Sequence, residues 1–158
     1  MAKYGTFRYG EGVYGEEVLY IFDRNSTDLL NDTQKAYLNY FDLNRIETRM
    51  QELTNLMNKY GYVNHIITKT NWIQQISSND LSNFPILSEL KRIHDNEQTL
   101  MDSFYVYPST PLLPNNIENL TIYNVNDIEK ILYHLHLIIK SIENTFVYCG
   151  AVECGEVI

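Results

Sequence analysis

The chain has 158 residues, 44% hydrophobic and 20% charged, which suits one domain with a real core and excludes wholesale disorder. Twenty acidic against twelve basic side chains leave a formal charge of −8, and no Lys/Arg cluster offers a track for a phosphate backbone, so nucleic acid is not an expected partner. No apolar run reaches the length of a bilayer crossing and Met1-Ala2-Lys3-Tyr4-Gly5 is not a hydrophobic leader, so synthesis in the cytoplasm without membrane insertion is expected.

The first predicted element is an arm over residues 1–22. Tyr4-Gly5, Tyr9-Gly10 and Tyr14-Gly15 recur every five residues, with Phe7 and Gly12 between them. Strand side chains alternate with period two, so this interval puts successive tyrosines on opposite faces unless the chain kinks at each glycine. Short extended pieces with glycine bends are expected. An arm of this length cannot bury its own aromatics, and tyrosine is enriched at interfaces. Tyr4, Gly5, Phe7, Tyr9, Gly10, Tyr14 and Gly15 are therefore the candidate protein-interaction residues, against the competing reading that they fold back on their own body.

Residues 23–146 are predicted as a helical domain. A short helical turn is expected over residues 26–31. Leu43, Ile46, Met50, Leu53, Met57 and Tyr60 then alternate three and four apart, which predicts a helix with a coiled-coil-like seam ending near Lys59 or Tyr60, before Gly61. Residues 62–67 suit a short strand, and Trp72 with Ile73 and Ile76 a plug against the helices. A second helix is expected from Pro85, capped by Ser82 or Asn83, with Ile86, Leu90, Ile93, Glu97, Leu100 and Phe104 inward. Glu97 on that stripe is read as solvated at a bundle edge rather than satisfied by a partner, because a buried unpaired carboxylate is costly. Pro108, Pro111 and Pro114 make a stiff connector. The third helix is expected from Asn124 or Asn126 to about Thr145, through Ile128, Ile131, Leu135, Ile138 and Ile142. The fold class is thus mainly α, a three-helix bundle-like body, with short Gly/Tyr-rich extended or strand-like arms at both termini, the second over residues 147–158.

No constellation for chemistry stands out. His134 and His136 are two apart and fall on different helix faces, one an edge and one a surface residue, whereas helical zinc sites space histidines by four. His65 and His94 have no ligand-spaced neighbours. Asp42, Asn44, Arg45 and Glu47 are dense at a helix start, where capping and pairing account for them. Cys149 and Cys154 lack metal-type spacing and are read as free thiols. No cofactor and no metal are expected.

Taken in order, Tyr4-Gly5-Thr6-Phe7-Arg8-Tyr9-Gly10, Asp23-Arg24, Asp42-Leu43-Asn44-Arg45-Ile46-Glu47, Thr70-Asn71-Trp72, Pro111-Leu112-Leu113-Pro114, Glu118-Asn119-Leu120-Thr121 and Asn126-Asp127-Ile128-Glu129-Lys130-Ile131-Leu132 resemble baseplate- and tail-fibre-associated structural proteins of clostridial contractile-tail prophages and phage-tail-like bacteriocins. The ending, Tyr148-Cys149-Gly150-Ala151-Val152-Glu153-Cys154-Gly155-Glu156, is similar to a Tyr-Ser-Gly-Glu repeat closing those proteins, with cysteine in place of serine. The resemblance implies a non-enzymatic adaptor or fibre base in the particle's baseplate region, with baseplate or tail-fibre proteins as partners and a homo-oligomer, a trimer being favoured. The competing expectation is a tail-assembly chaperone or helical regulatory module absent from the mature particle. A third is a wall-degrading enzyme in which Glu97 is the unusual acid.

Overall fold

The computed structural model describes residues 20–73 and 86–150, with side chains as far as residue 145. The interaction residues expected from Tyr4 to Gly15, the caps Ser82 and Asn83, and Ile76 lie outside this set. The described residues are helical and contain no strand.

The chain enters as an extended stretch from Tyr20 to Asn25. Asn25 caps α1 (Ser26–Leu30) in a reciprocal box with Asp28. A single 3-10 turn, Gln34–Ala36, leads to Asn39, which caps α2 (Tyr40–Lys59) in a second box with Asp42. α2 stops where its sequence says it should. Gly61 adopts φ +87°, its N–H donates to Asn58 O at 3.1 Å, and the Tyr62 N–H donates to Met57 O at 2.9 Å. This Schellman closure satisfies the last carbonyls and turns the chain back.

α3 (Leu87–Asp102) starts two residues beyond Pro85, after Ile86, and has no side-chain cap. α4 (Ile122–Gly150) is longer than its pattern suggests at both ends. At the start, Asn124 is not the cap but the residue reaching back. Its Oδ1 accepts from the Thr121 N–H at 3.0 Å, and the Thr121 hydroxyl accepts from the Asn124 N–H at 3.2 Å. At the other end the helix runs through Gly150, so the first four residues of the expected strand-like segment 147–158 are helical. Tyr20 and Ile21, expected in the arm, are buried against the helical body.

α2, α3 and α4 are mutually parallel. Arg45 and Lys59 on α2 meet Glu129 and Glu143 on α4 in the same order and at the same separation. Glu47 on α2 meets Arg92 near the start of α3, and Tyr62, just past α2, meets Phe104, just past α3. Each link between helices must therefore run back along the bundle. The core is filled by Leu43, Ile46, Met50, Leu53 and Met57 of α2, Ile93 and Leu100 of α3, and Ile128, Ile131, Leu132, Leu135 and Ile139 of α4. Ile86, expected inward, is half exposed because it precedes the helix. Trp72 is buried as expected, whereas Ile73 is exposed.

Candidate functional site

Two polar clusters are buried in this body, each joining residues in the first turns of the helices to extended chain packed beside them. In the first, Glu129 of α4 receives the Ile21 N–H on Oε2 at 2.5 Å and Arg24 Nη2 on Oε1 at 3.0 Å. It also receives Arg45 through a two-pronged contact, Nε to Oε2 at 3.1 Å and Nη2 to Oε1 at 2.6 Å. Asp42 Oδ1 accepts from both guanidinium groups, at 3.0 Å from Arg24 and 2.6 Å from Arg45. Two cations face two anions, so the cluster is neutral as a unit. Arg24 and Glu129 side chains are each only 1% exposed, which such pairing alone makes tolerable. Burial by itself would weaken the hold of Arg45 on its proton; hydrogen bonds and charge from Glu129 and Asp42 outweigh it and leave the guanidinium more firmly protonated.

The second cluster surrounds Glu47, which has no exposed surface. Oε1 accepts from Trp72 Nε1 at 2.8 Å and from Arg92 Nη2 at 2.8 Å, while Oε2 accepts from the Lys69 N–H and from Arg92 Nη1, both at 2.6 Å. The hydrogen bonds to Glu47 raise the proton affinity of Arg92 further. Lys69 Nζ stands 3.8 Å from the centre of the Trp72 ring, a cation–π contact.

Around these clusters, asparagine side chains act as stand-ins for a neighbouring strand. Asn44 accepts from the Trp72 N–H at 2.9 Å and donates to its carbonyl at 2.7 Å. Asn58 grips Asn64 in the same way, at 2.8 and 3.2 Å, and Asn96 grips Ile67, at 3.2 and 2.7 Å. Asn126 does so to Arg24, at 3.1 and 2.8 Å. From Asn58 back to Asn44, α2 covers about 21 Å at 1.5 Å per residue. The chain from Asn64 to Trp72 spans that distance in eight steps and is therefore extended. The strand expected over residues 62–67 is thus extended chain without a strand partner among the described residues, its backbone bonded to helix side chains.

Glu97 departs furthest from expectation. It is not solvated at an edge but has no exposed surface, and neither carboxylate oxygen has a hydrogen-bond partner. Burial, with the charges of Asp127 and Glu129, raises its pKa well above the usual carboxylate range and so favours the protonated form. One helical turn before it on α3, Ile93 lines a recess shared with Leu43, Ile46, Pro114, Val125 and Ile128, apolar but for His94. Its cavity volume of about 20 Å³ leaves room for roughly one water, too little for a small-molecule ligand.

His134 and His136 are both partly buried and each meets a hydroxyl, whereas His65 is exposed. His136 Nδ1 lies 2.9 Å from the Tyr20 hydroxyl and His134 Nδ1 2.9 Å from the Thr110 hydroxyl. Burial lowers both pKa values, with Lys140 and Arg49 adding to the effect at His136 and Lys130 at His134. Among the described residues no group of His, Cys, Asp and Glu is arranged to hold a metal ion, and no helix is long and apolar enough to cross a membrane.

Pairing at Asp42 and Arg45 follows from their spacing. The partners Arg24, Glu129, Asn96 and Asn126 do not, since each is distant in sequence from what it binds. The signal that could have found Glu129 is its place three residues before the buried Leu132, on the edge of an apolar stripe. No family model, curated protein or solved structure matches this chain.

Proposed function

We propose that this chain is a structural, non-enzymatic component of a contractile phage tail or tail-like bacteriocin, an adaptor or fibre base in the baseplate region. The observation that carries the reading is the anchorage of Tyr20 to Arg24. Directly after the Tyr-Gly repeats, the chain is bolted to α2 and α4 through Glu129, Asp42 and Asn126. A docking segment joined to a body needs such a root. The landmark strings Asp23-Arg24, Asp42 to Glu47, Thr70-Asn71-Trp72 and Asn126 to Leu132 all supply residues to the two buried clusters or the contacts around them. Their polar groups are engaged in holding the fold together, which supports an architectural role over a catalytic one. In this reading Tyr4, Gly5, Phe7, Tyr9, Gly10, Tyr14 and Gly15 contact a baseplate or fibre protein, and the helical bodies associate as a trimer. The protein is made in the cytoplasm and ends in the particle.

Deleting residues 2–15 tests this. The truncated chain is expected to keep its helical circular dichroism and melting temperature but to be missing from purified particles by mass spectrometry. Normal incorporation of the truncated chain would refute the docking role. Absence of the intact chain from finished particles would favour an assembly chaperone instead.

A further inference from the structure

The seam between α2 and α3 is cross-linked by Arg92 and Glu47, and that between α2 and α4 by Arg45 and Glu129. Among the described residues no hydrogen bond or ion pair links α3 to α4. Glu97 lies on the inward stripe of α3 between Ile93 and Leu100, with both oxygens buried and without hydrogen-bond partners, and the acidic charges that act on it come from α4. We propose that Glu97 makes the α3–α4 seam a proton-operated joint, closed while its carboxyl carries the proton and loosened when the proton leaves.

The surrounding charges give ionised Glu97 no relief. From α4 it feels the charges of Asp127 and Glu129, both acidic. The arginines of the region are committed elsewhere, Arg24 and Arg45 to Glu129 and Asp42, and Arg92 to Glu47 and Glu89, while the charge of Lys130 on α4 acts on Asp127. On its own helix the neighbouring titratable group is His94, which sits beside Asp95. The two return segments carry His65 and Lys69 on the first, the latter over Trp72, and the exposed Glu118 on the second. An anion at Glu97 must therefore reach water, and the apolar recess between Leu90 and Ile93 of α3 and Val125 and Ile128 of α4 lies along the same seam. Loosening it uncovers that recess while the ion-paired seams of α2 stay shut.

The sign follows from linkage. The folded carboxyl holds its proton more tightly than the unfolded one, so the closed form binds more protons. Closure is complete at acid pH and weakens as pH rises above the ordinary carboxylate range, by about tenfold per pH unit until the folded pKa is passed. Hydrogen exchange of the full-length chain, corrected for intrinsic rates and followed across pH 5 to 9, reads this directly. Amides of α3 are expected to lose protection progressively with rising pH, while those of α2 keep it. Glu97→Gln and Glu97→Leu should each flatten the α3 profile. Carbon-13 titration of the Glu97 carboxyl in the wild-type chain provides a readout that needs no variant. The proposal is overturned if that carboxyl titrates in the ordinary range, or if either folded variant keeps the wild-type pH dependence.

Discussion

Glu129 shows most directly what single residues contribute here. It accepts four hydrogen bonds, from the Ile21 N–H, Arg24 and both prongs of Arg45. Glu129→Ala would leave two nearly buried guanidinium groups sharing Asp42 alone. The expected loss is about 3–5 kcal/mol, the usual result of removing one side of a buried ion pair, measurable by urea unfolding. Asn44 makes a smaller and more local case. Its two bonds hold the Trp72 backbone, so Asn44→Ala should cost roughly 1–2 kcal/mol. The chain has a single tryptophan, and its emission should shift to the red as the site loosens. The sequence shows the near half of these clusters, Asp42 with Arg45, because helical spacing brings them together. Glu97 is misread for a physical reason: the cost of burying a charge argues for exposure only while the group stays charged, and protonation removes that premise.

At the scale of elements, helix seams and ends were legible wherever local chemistry decides them. The α2 stripe from Leu43 to Met57 is buried throughout, and Gly61 closes the helix as its position implies. A Cβ placed at Gly61 would meet no atom within 4 Å, so Gly61→Ala carries only the backbone strain of φ +87°. That is about 1 kcal/mol, to be read as a lower denaturation midpoint with an unchanged slope. The α4 boundaries were less legible because Thr121 and Asn124 cap reciprocally, and either could have been the first residue. The segment from Asn64 to Trp72 could not be read as it stands. Strand-like composition is visible in Val63, Ile66 and Ile67, but that its hydrogen bonds go to asparagines on helices depends on which helix faces it.

The whole molecule was legible as helical and three-seamed, whereas its parallel arrangement was not. Amphipathic stripes fix which face of a helix is buried and say nothing of its direction relative to a neighbour. The direction comes from the long returns, one clamped by Asn44, Asn58 and Asn96 and the other stiffened by Pro108, Pro111 and Pro114. Stability of the assembled body should respond to acid as well as to base. His136 binds its proton less tightly when folded, through burial and then Lys140 and Arg49, so its contribution is intact above its ordinary pKa and is lost as pH falls from there through the lower folded value. His136→Gln should therefore reduce the loss of melting temperature between pH 7 and pH 5 without altering the alkaline limb governed by Glu97. The contacts of Tyr20 with His136 and of Arg24 with Asn126 show that the entering chain runs antiparallel to α4. Tension on residue 19 toward the α4 C-terminus would strain the Ile21, Arg24 and Asn126 bonds simultaneously, in shear. A pull outward from the helix would unzip them one by one. The joint should thus resist rupture along one axis and yield along the other, an anisotropy that single-molecule stretching from two attachment points would reveal.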